Sequence, residues 1–275
     1  MSEIPNSAAP VAMRVAAVQM VSSPKVEENL AAASGLIAQA VTSGAQLVVL
    51  PEYFCLMGNA DTDKVAVREA SEGPIQDFLS EQARSHGIWL VGGTLPLECS
   101  DPGRVYNSTL VYGPDGKCCT RYDKIHLFNY RRGSEVYDEA ATIMPGTTPA
   151  GFDAPCGRVG LSVCYDLRFP ELYRALGEPT LILVPAAFTY STGRAHWEVL
   201  LRARAIENQC YVLASAQGGV HPNGRRTWGH SMLIDPWGDV LEVLDEGPGV
   251  VAGTVDPSRL EEVRTSLPAL RHRVM

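Results

Sequence analysis

The stretch GRVGLSVCYDLRFPELYRAL, residues 157–176, decides how the rest of the chain is read. Val159, Leu161 and Val163 are β-formers in a run with little charge, so residues 158–163 are expected to form a buried strand. Cys164 stands where that strand runs out. Pro170 suits the first position of a helix, and Glu171 its first turn. A sharp strand-to-helix elbow lifts its residue clear of the sheet, where neighbouring backbone N–H groups can hold an oxyanion. Cys164 is therefore a candidate nucleophile. The alternative is a small buried hydrophobe, the commoner role of a free cysteine.

Upstream, residues 14–21, 46–50 and 88–91 read as strands. Between the first two, Val26, Leu30, Ala33, Ile37 and Val41 fall on one helical stripe over residues 25–43. A second helix opens at Pro74, turns Ile75, Phe78 and Leu79 inward, and stops at Gly87. This βαβαβ rhythm predicts a layered α/β core. It then changes. Residues 105–112 and 117–122, joined by GPDG, form a hairpin, so the sheet is mixed. Residues 123–155 make a long connection with little periodicity, and such loops are usually functional. Downstream, residues 180–184 and 211–216 read as strands and 196–208 as a helix. A second hairpin spans 231–235 and 240–244, followed by a strand at 250–255 and a helix at 257–266. Each half thus runs strand–helix–strand and then hairpin, which is compatible with one sheet per half, packed face to face.

The chain has 275 residues, 45% of them hydrophobic and 20% charged, which is ordinary globular composition. Its net charge of −8 argues against a nucleic-acid or anionic-membrane surface. No apolar run reaches bilayer length. Residues 1–12 lack the basic and apolar regions of a signal peptide and are expected to be a disordered lead-in to a single domain over 13–275. The seven cysteines are odd in number and irregularly spaced, which points to reduced thiols and a cytoplasmic location. The six histidines are scattered, and neither a metal nor a cofactor is expected.

Three further polar residues end apolar or connecting segments. Glu52 follows LVVLP, Lys124 follows CCTRYD, and Glu139 lies in the long connection. Each has a plainer reading, as a helix cap or a solvated charge. Together with Cys164 they can hydrolyse a carbon–nitrogen bond. Glu52 would take the thiol proton, Lys124 would hold the oxyanion with a backbone N–H near Tyr165, and Glu139 would steady Lys124.

The segments LPEYF, RYDKIHLF and GLSVCYDLRFPEL resemble the three signature regions of the nitrilase superfamily of carbon–nitrogen hydrolases, and the resemblance runs from about Val15 to the end of the chain. It implies a four-layer αββα sandwich with two mixed sheets and subunits that pair into a homodimer or higher oligomer. It implies Glu52 as general base and acid, Lys124 as oxyanion stabiliser and Cys164 as nucleophile. The family's additional glutamate corresponds to Glu139, with Glu135 as its competitor. Tyr165-Asp166 after the cysteine, HWEVLLRARAIENQCYVLASA (196–216) and GHSMLIDPWG (229–238) resemble the deaminated glutathione amidase branch, with the omega-amidases as near neighbours. The expected substrate is a small carboxylate-bearing amide, cleaved through a thioester with ammonia leaving. Arg168 is the first candidate for its carboxylate, with Arg194 and Arg202 behind it; the alternative for Arg168 is an ion pair with Asp166 or Glu171. Tyr165, Phe188, Thr189 and Tyr130 are further pocket candidates. The basic tail, residues 267–275, is expected to dock on a partner subunit. A nitrilase, an N-carbamoyl amidase, or a catalytically silent interaction protein of the same fold are the competing readings. A serine hydrolase and a dinucleotide-binding domain fail for want of complete G-x-S-x-G and G-x-G-x-x-G motifs.

Overall fold

The computed structural model describes residues 9–133 and 135–274, so most of the expected lead-in and the side chain of Glu135 lie outside the described residues. The chain begins as β1 (Met13–Gln19), α1 (Val26–Thr42), β2 (Leu47–Val49), a single turn α2 (Asp63–Ala66), α3 (Pro74–His86) and β3 (Trp89–Val91). Then come β4 (Leu95–Glu98), β5 (Val105–Tyr112) and β6 (Cys118–Asp123), followed by a small hairpin of β7 (Asn129–Arg132) and β8 (Glu135–Asp138). The second half runs β9 (Gly151–Ala154), β10 (Gly157–Leu161), a 3-10 segment Cys164–Arg168, α4 (Pro170–Ala175), β11 (Leu181–Ala186), α5 (Tyr190–Asn208) and β12 (Tyr211–Ala216). It closes with the hairpins β13 (Gly218–Val220) with β14 (Arg226–Trp228) and β15 (Met232–Ile234) with β16 (Val240–Val243), then β17 (Gly249–Val255) and α6 (Pro257–Ser266).

Two mixed sheets result. The first has the order β17-β1-β2-β3-β5-β4 with β6 beside β5, and the second β16-β15-β12-β11-β10-β9. β1, β2 and β3 run parallel, as do β10, β11 and β12. Alternation along β1 explains the layering. Val15 and Ala17 join Val49 and Val91 in one core with Leu161, Leu183 and Leu213 of the second sheet. Ala16 and Val18 turn the other way, into a second core with Ile37 of α1 and Leu79 of α3. Trp197 and Leu201 of α5 close the far side of the second sheet. The chain is a four-layer αββα sandwich, and strands covered on both faces read as continuous apolar runs for that reason.

The structure departs from the sequence reading in four places. β17 does not stay with the second half; it pairs antiparallel with β1, from Met13 opposite Val255 to Gln19 opposite Gly249. The long connection holds three strands, β7, β8 and the edge strand β9. The short strands β4, β13 and β14 carry too few alternating residues to stand out. α5 begins at Tyr190, six residues earlier than expected, because Thr189 caps it by accepting from the Thr192 N–H. No helix among the described residues is long and apolar enough to cross a membrane.

Candidate active site

The carboxyl ends of the parallel strands in both sheets open on one rim, where α/β folds gather their sites. Glu52 leaves the end of β2, Lys124 follows β6, and Cys164 lies just past β10. The elbow has a left-handed backbone at Cys164, φ +50°, a conformation uncommon for a non-glycine residue. Asp166 fixes it. Its buried carboxylate accepts from the Val163 N–H (2.8 Å), the Tyr122 hydroxyl (2.7 Å) and the His126 N–H (3.0 Å). The elbow is thereby tied to the segment that carries Lys124.

Lys124 is the hub. Its Nζ donates to Glu52 Oε1 at 2.9 Å and to Glu139 Oε2 at 2.7 Å, with side-chain exposures of 0% for Lys124 and 1% for Glu52. Glu52 Oε1 also accepts from Asn107 Nδ2 (2.9 Å), and its Oε2 accepts from the Ala187 N–H (2.9 Å). Glu139 accepts from the Tyr53 hydroxyl (2.8 Å) and the Phe128 N–H (2.7 Å). Burial alone would lower Lys124, but the charges of Glu139 and Glu52 outweigh it and hold the amine well above its ordinary value. Burial would likewise raise Glu139, and the Lys124 ammonium holds it below the usual carboxylate range instead. Glu52 goes the other way: burial pushes it up, Lys124 recovers part of the shift, and the Glu139 charge pushes it up again. Burial and the neighbouring Glu52 push the Cys164 thiol well above its ordinary value. The pair is a thiol held in its protonated form beside a carboxyl group of raised proton affinity.

Two glycines let the backbones beside Glu52 and Lys124 approach their supports. A Cβ on Gly93, where φ is +50°, would lie 2.1 Å from the Pro51 carbonyl oxygen, next to Glu52. A Cβ on Gly146 would lie 2.1 Å from the Asp123 carbonyl oxygen, next to Lys124.

Glu52, Glu139 and Cys164 line a pocket that spans about 590 Å³ with its mouth, and Lys124 lies buried behind the two carboxylates. Tyr165, Arg168, Phe188 and Thr189 line it, as do Tyr53, Lys64, Tyr137 and Arg225, which the sequence did not single out. Arg168 pairs with neither Asp166 nor Glu171. Its guanidinium lies 5.8 Å from the Tyr165 ring centroid and 5.6 Å from that of Phe188, with the ring of His196 at 3.2 Å. Tyr130 is not among the lining residues; it stacks behind Phe128 at 5.7 Å. Arg194 and Arg202 line a separate groove along α5. Asn107, the additional Glu52 partner, sits mid-strand in β5, and only its pairing across the fold reveals it.

Over 265 residues the chain is 44% identical to the deaminated glutathione amidase of Synechocystis sp., covering 94% of this chain and 97% of the relative. It is 37% identical to the omega-amidase of Xenopus tropicalis, with 94% of each chain covered. Among solved structures, a member of branch 10 of the nitrilase superfamily from Saccharomyces cerevisiae superposes with a TM-score of 0.86 at 30% identity, covering 96% of this chain and 97% of that one. The family model for carbon-nitrogen hydrolase matches residues 14–265. A thiol, two carboxylates and an amine converge at the rim of a nitrilase-type sandwich, and the chain belongs to the carbon–nitrogen hydrolase family.

Proposed function

We propose that this carbon–nitrogen hydrolase cleaves deaminated glutathione through a thioester on Cys164. The observation that carries the reading is the buried Lys124 ammonium held between Glu52 and Glu139, two carboxylates that line a pocket together with Cys164 and Arg168. The Synechocystis relative, a deaminated glutathione amidase, supports the choice of substrate.

Glu52 takes the thiol proton as Sγ bonds to the amide carbon. The carbonyl π pair moves to oxygen, and Lys124 Nζ–H and the Tyr165 backbone N–H stabilise the oxyanion. As that oxyanion collapses, the C–N bond breaks and the protonated Glu52 delivers its proton to the departing nitrogen. Glu52 then deprotonates water, whose oxygen attacks the thioester. The second oxyanion collapses with loss of the sulfur, which recovers its proton from Glu52. One water is consumed and one C–N bond is cleaved. A primary amide releases ammonia. Deaminated glutathione has only secondary amides, so the leaving group there is an amine. Glu139 keeps Lys124 charged and in position throughout. Arg168 pairs with a substrate carboxylate, while Tyr165, Phe188 and Thr189 form the pocket wall and Tyr130 backs Phe128.

The enzyme is inferred to work in the cytoplasm, where its seven free thiols stay reduced, and as a homodimer acting on a small molecule rather than on nucleic acid or membrane. Hydrolysis of deaminated glutathione, 2-oxoglutaramate, N-carbamoyl-β-alanine and a simple nitrile by the protein and its Cys164→Ala variant tests the reading, with acid, amine and ammonia products all quantified. Fastest turnover of deaminated glutathione, lost in the variant by a factor of at least about 10³, is expected. Preference for 2-oxoglutaramate would shift the assignment to the omega-amidase activity named for the Xenopus relative. Turnover that survives Cys164→Ala would overturn the thioester mechanism.

A further inference from the structure

Arg168 and Lys64 are not the pocket's only cations among the described residues. Arg225 lines it from the turn between β13 and β14, and among the described residues no carboxylate lies within ion-pair distance of its guanidinium. Its charge rests 5.5 Å from the Tyr137 ring centroid. The turn is built to hold it. The Arg225 N–H donates to Asn223 Oδ1 (3.0 Å), and Asn223 Nδ2 donates to the carbonyls of Met57 (3.2 Å) and Gly58 (2.6 Å). His221 is buried between the Ser22 carbonyl (2.9 Å) and Thr227 Oγ1 (2.8 Å). This fixes the turn against the segment that brings in Lys64, whose Nζ lies 5.6 Å from the Tyr53 ring centroid and 3.9 Å from Asp61. A small side recess, spanning about 290 Å³ with its opening to solvent, shares Tyr53, Asp61, Lys64 and Arg225 with the main pocket.

The chemistry assigns the two ends. The acyl half of the substrate becomes bonded to Cys164, whose chain neighbours Tyr165 and Arg168 line that side. The leaving nitrogen receives its proton from Glu52, whose neighbour Tyr53 leads to Lys64 and Arg225. Resting on the amidase reading above, we infer that Arg225, with Lys64 beside it, forms a subsite for a carboxylate carried by the leaving amine. Arg225 is then a specificity-determining residue for amides whose leaving half is an acidic, peptide-like amine. Asp61 partners Lys64, which leaves Arg225 as the cation open to the ligand, and Asp138 at the pocket wall disfavours any second negative charge there. From the scissile nitrogen to the carboxylate of a two-residue leaving group is about 7 Å in extended form, a reach suited to a side cavity and not to ammonia.

The test compares deaminated glutathione with its C-terminal carboxamide analogue, which differs only in the distal charge. In Arg225→Gln the ratio of kcat/KM, acid over carboxamide, is expected to fall at least tenfold, carried by KM, while Arg225→Lys retains most of the preference. A ratio unchanged in Arg225→Gln, or a wild-type enzyme indifferent to the distal charge, overturns the subsite and leaves the amidase reading standing. A wild-type enzyme that hydrolyses 2-oxoglutaramate but neither member of the pair overturns the deaminated glutathione reading itself, and the subsite with it.

Discussion

Glu139 serves two neighbours with one carboxylate. It holds the Lys124 ammonium, and it accepts the Phe128 N–H at the base of the β7–β8 hairpin while the Glu139 N–H donates back to the Phe128 carbonyl. Its charge is also one of the causes that lift Glu52 above the usual carboxylate range. Replacing it by glutamine removes that push and leaves more of the Lys124 charge to Glu52, so both effects lower the Glu52 pKa. The acidic limb of kcat/KM against pH reports protonation of the free enzyme's base. In Glu139→Gln that limb is expected to move to lower pH, with a reduced maximum because Lys124 is less firmly held. A limb that moves to higher pH would contradict the assignment of Glu52 as the base.

Strand ends are positioned to within a fraction of an ångström by what packs behind them, and Gly93 is where this is most exposed to test. Its positive φ disfavours any side chain, and a Cβ would drive into the Pro51 carbonyl beside Glu52. Gly93→Ala is expected to cost about 2 kcal/mol or more in urea unfolding and to lower kcat, since Glu52 shifts with its backbone. An alanine variant with unchanged stability and rate would show that the β2 end is not held this way. Glu52, Lys124 and Cys164 could be singled out in sequence because each sits in a dense local motif just past a strand. Asn107, Gly93, Gly146 and Arg225 could not, because their contacts exist only where segments distant in sequence meet. The β7–β8 hairpin escaped notice for a related reason: none of the described residues of NYRRGSEVYD is fully buried, so no apolar alternation marks it. The start of α5 was obscured by Ser191, Thr192 and Gly193, poor helix formers, with Gly193 required because a Cβ would strike Trp228.

At the scale of the whole molecule, the acidic body ends in a basic tail. Gln209, at the end of α5, donates to the Leu267 carbonyl and accepts from the Leu270 N–H, which roots the tail on its own chain. Arg271, His272 and Arg273 stay exposed beyond that root, on a chain of net charge −8. A second acidic copy offers the complementary surface. Light scattering is expected to give a dimer for the full chain and a monomer for a chain ending at Ser266; a truncated dimer would mean that another surface joins the subunits.

The pairing of β17 with β1 also sets an order of events during synthesis. The edge of β1 that β17 covers stays open until the 230 residues after Gln19, up to and including Gly249, have been made. At about 5–20 residues per second, a ribosome leaves that edge unpaired for roughly 10–50 s. For that interval the nascent chain carries an apolar strand with free backbone donors and acceptors, a template for pairing with a neighbouring nascent chain. Slow translation or a premature stop before residue 249 therefore exposes an aggregation hazard that the finished enzyme conceals beneath β17, the outermost strand on that side of its first sheet.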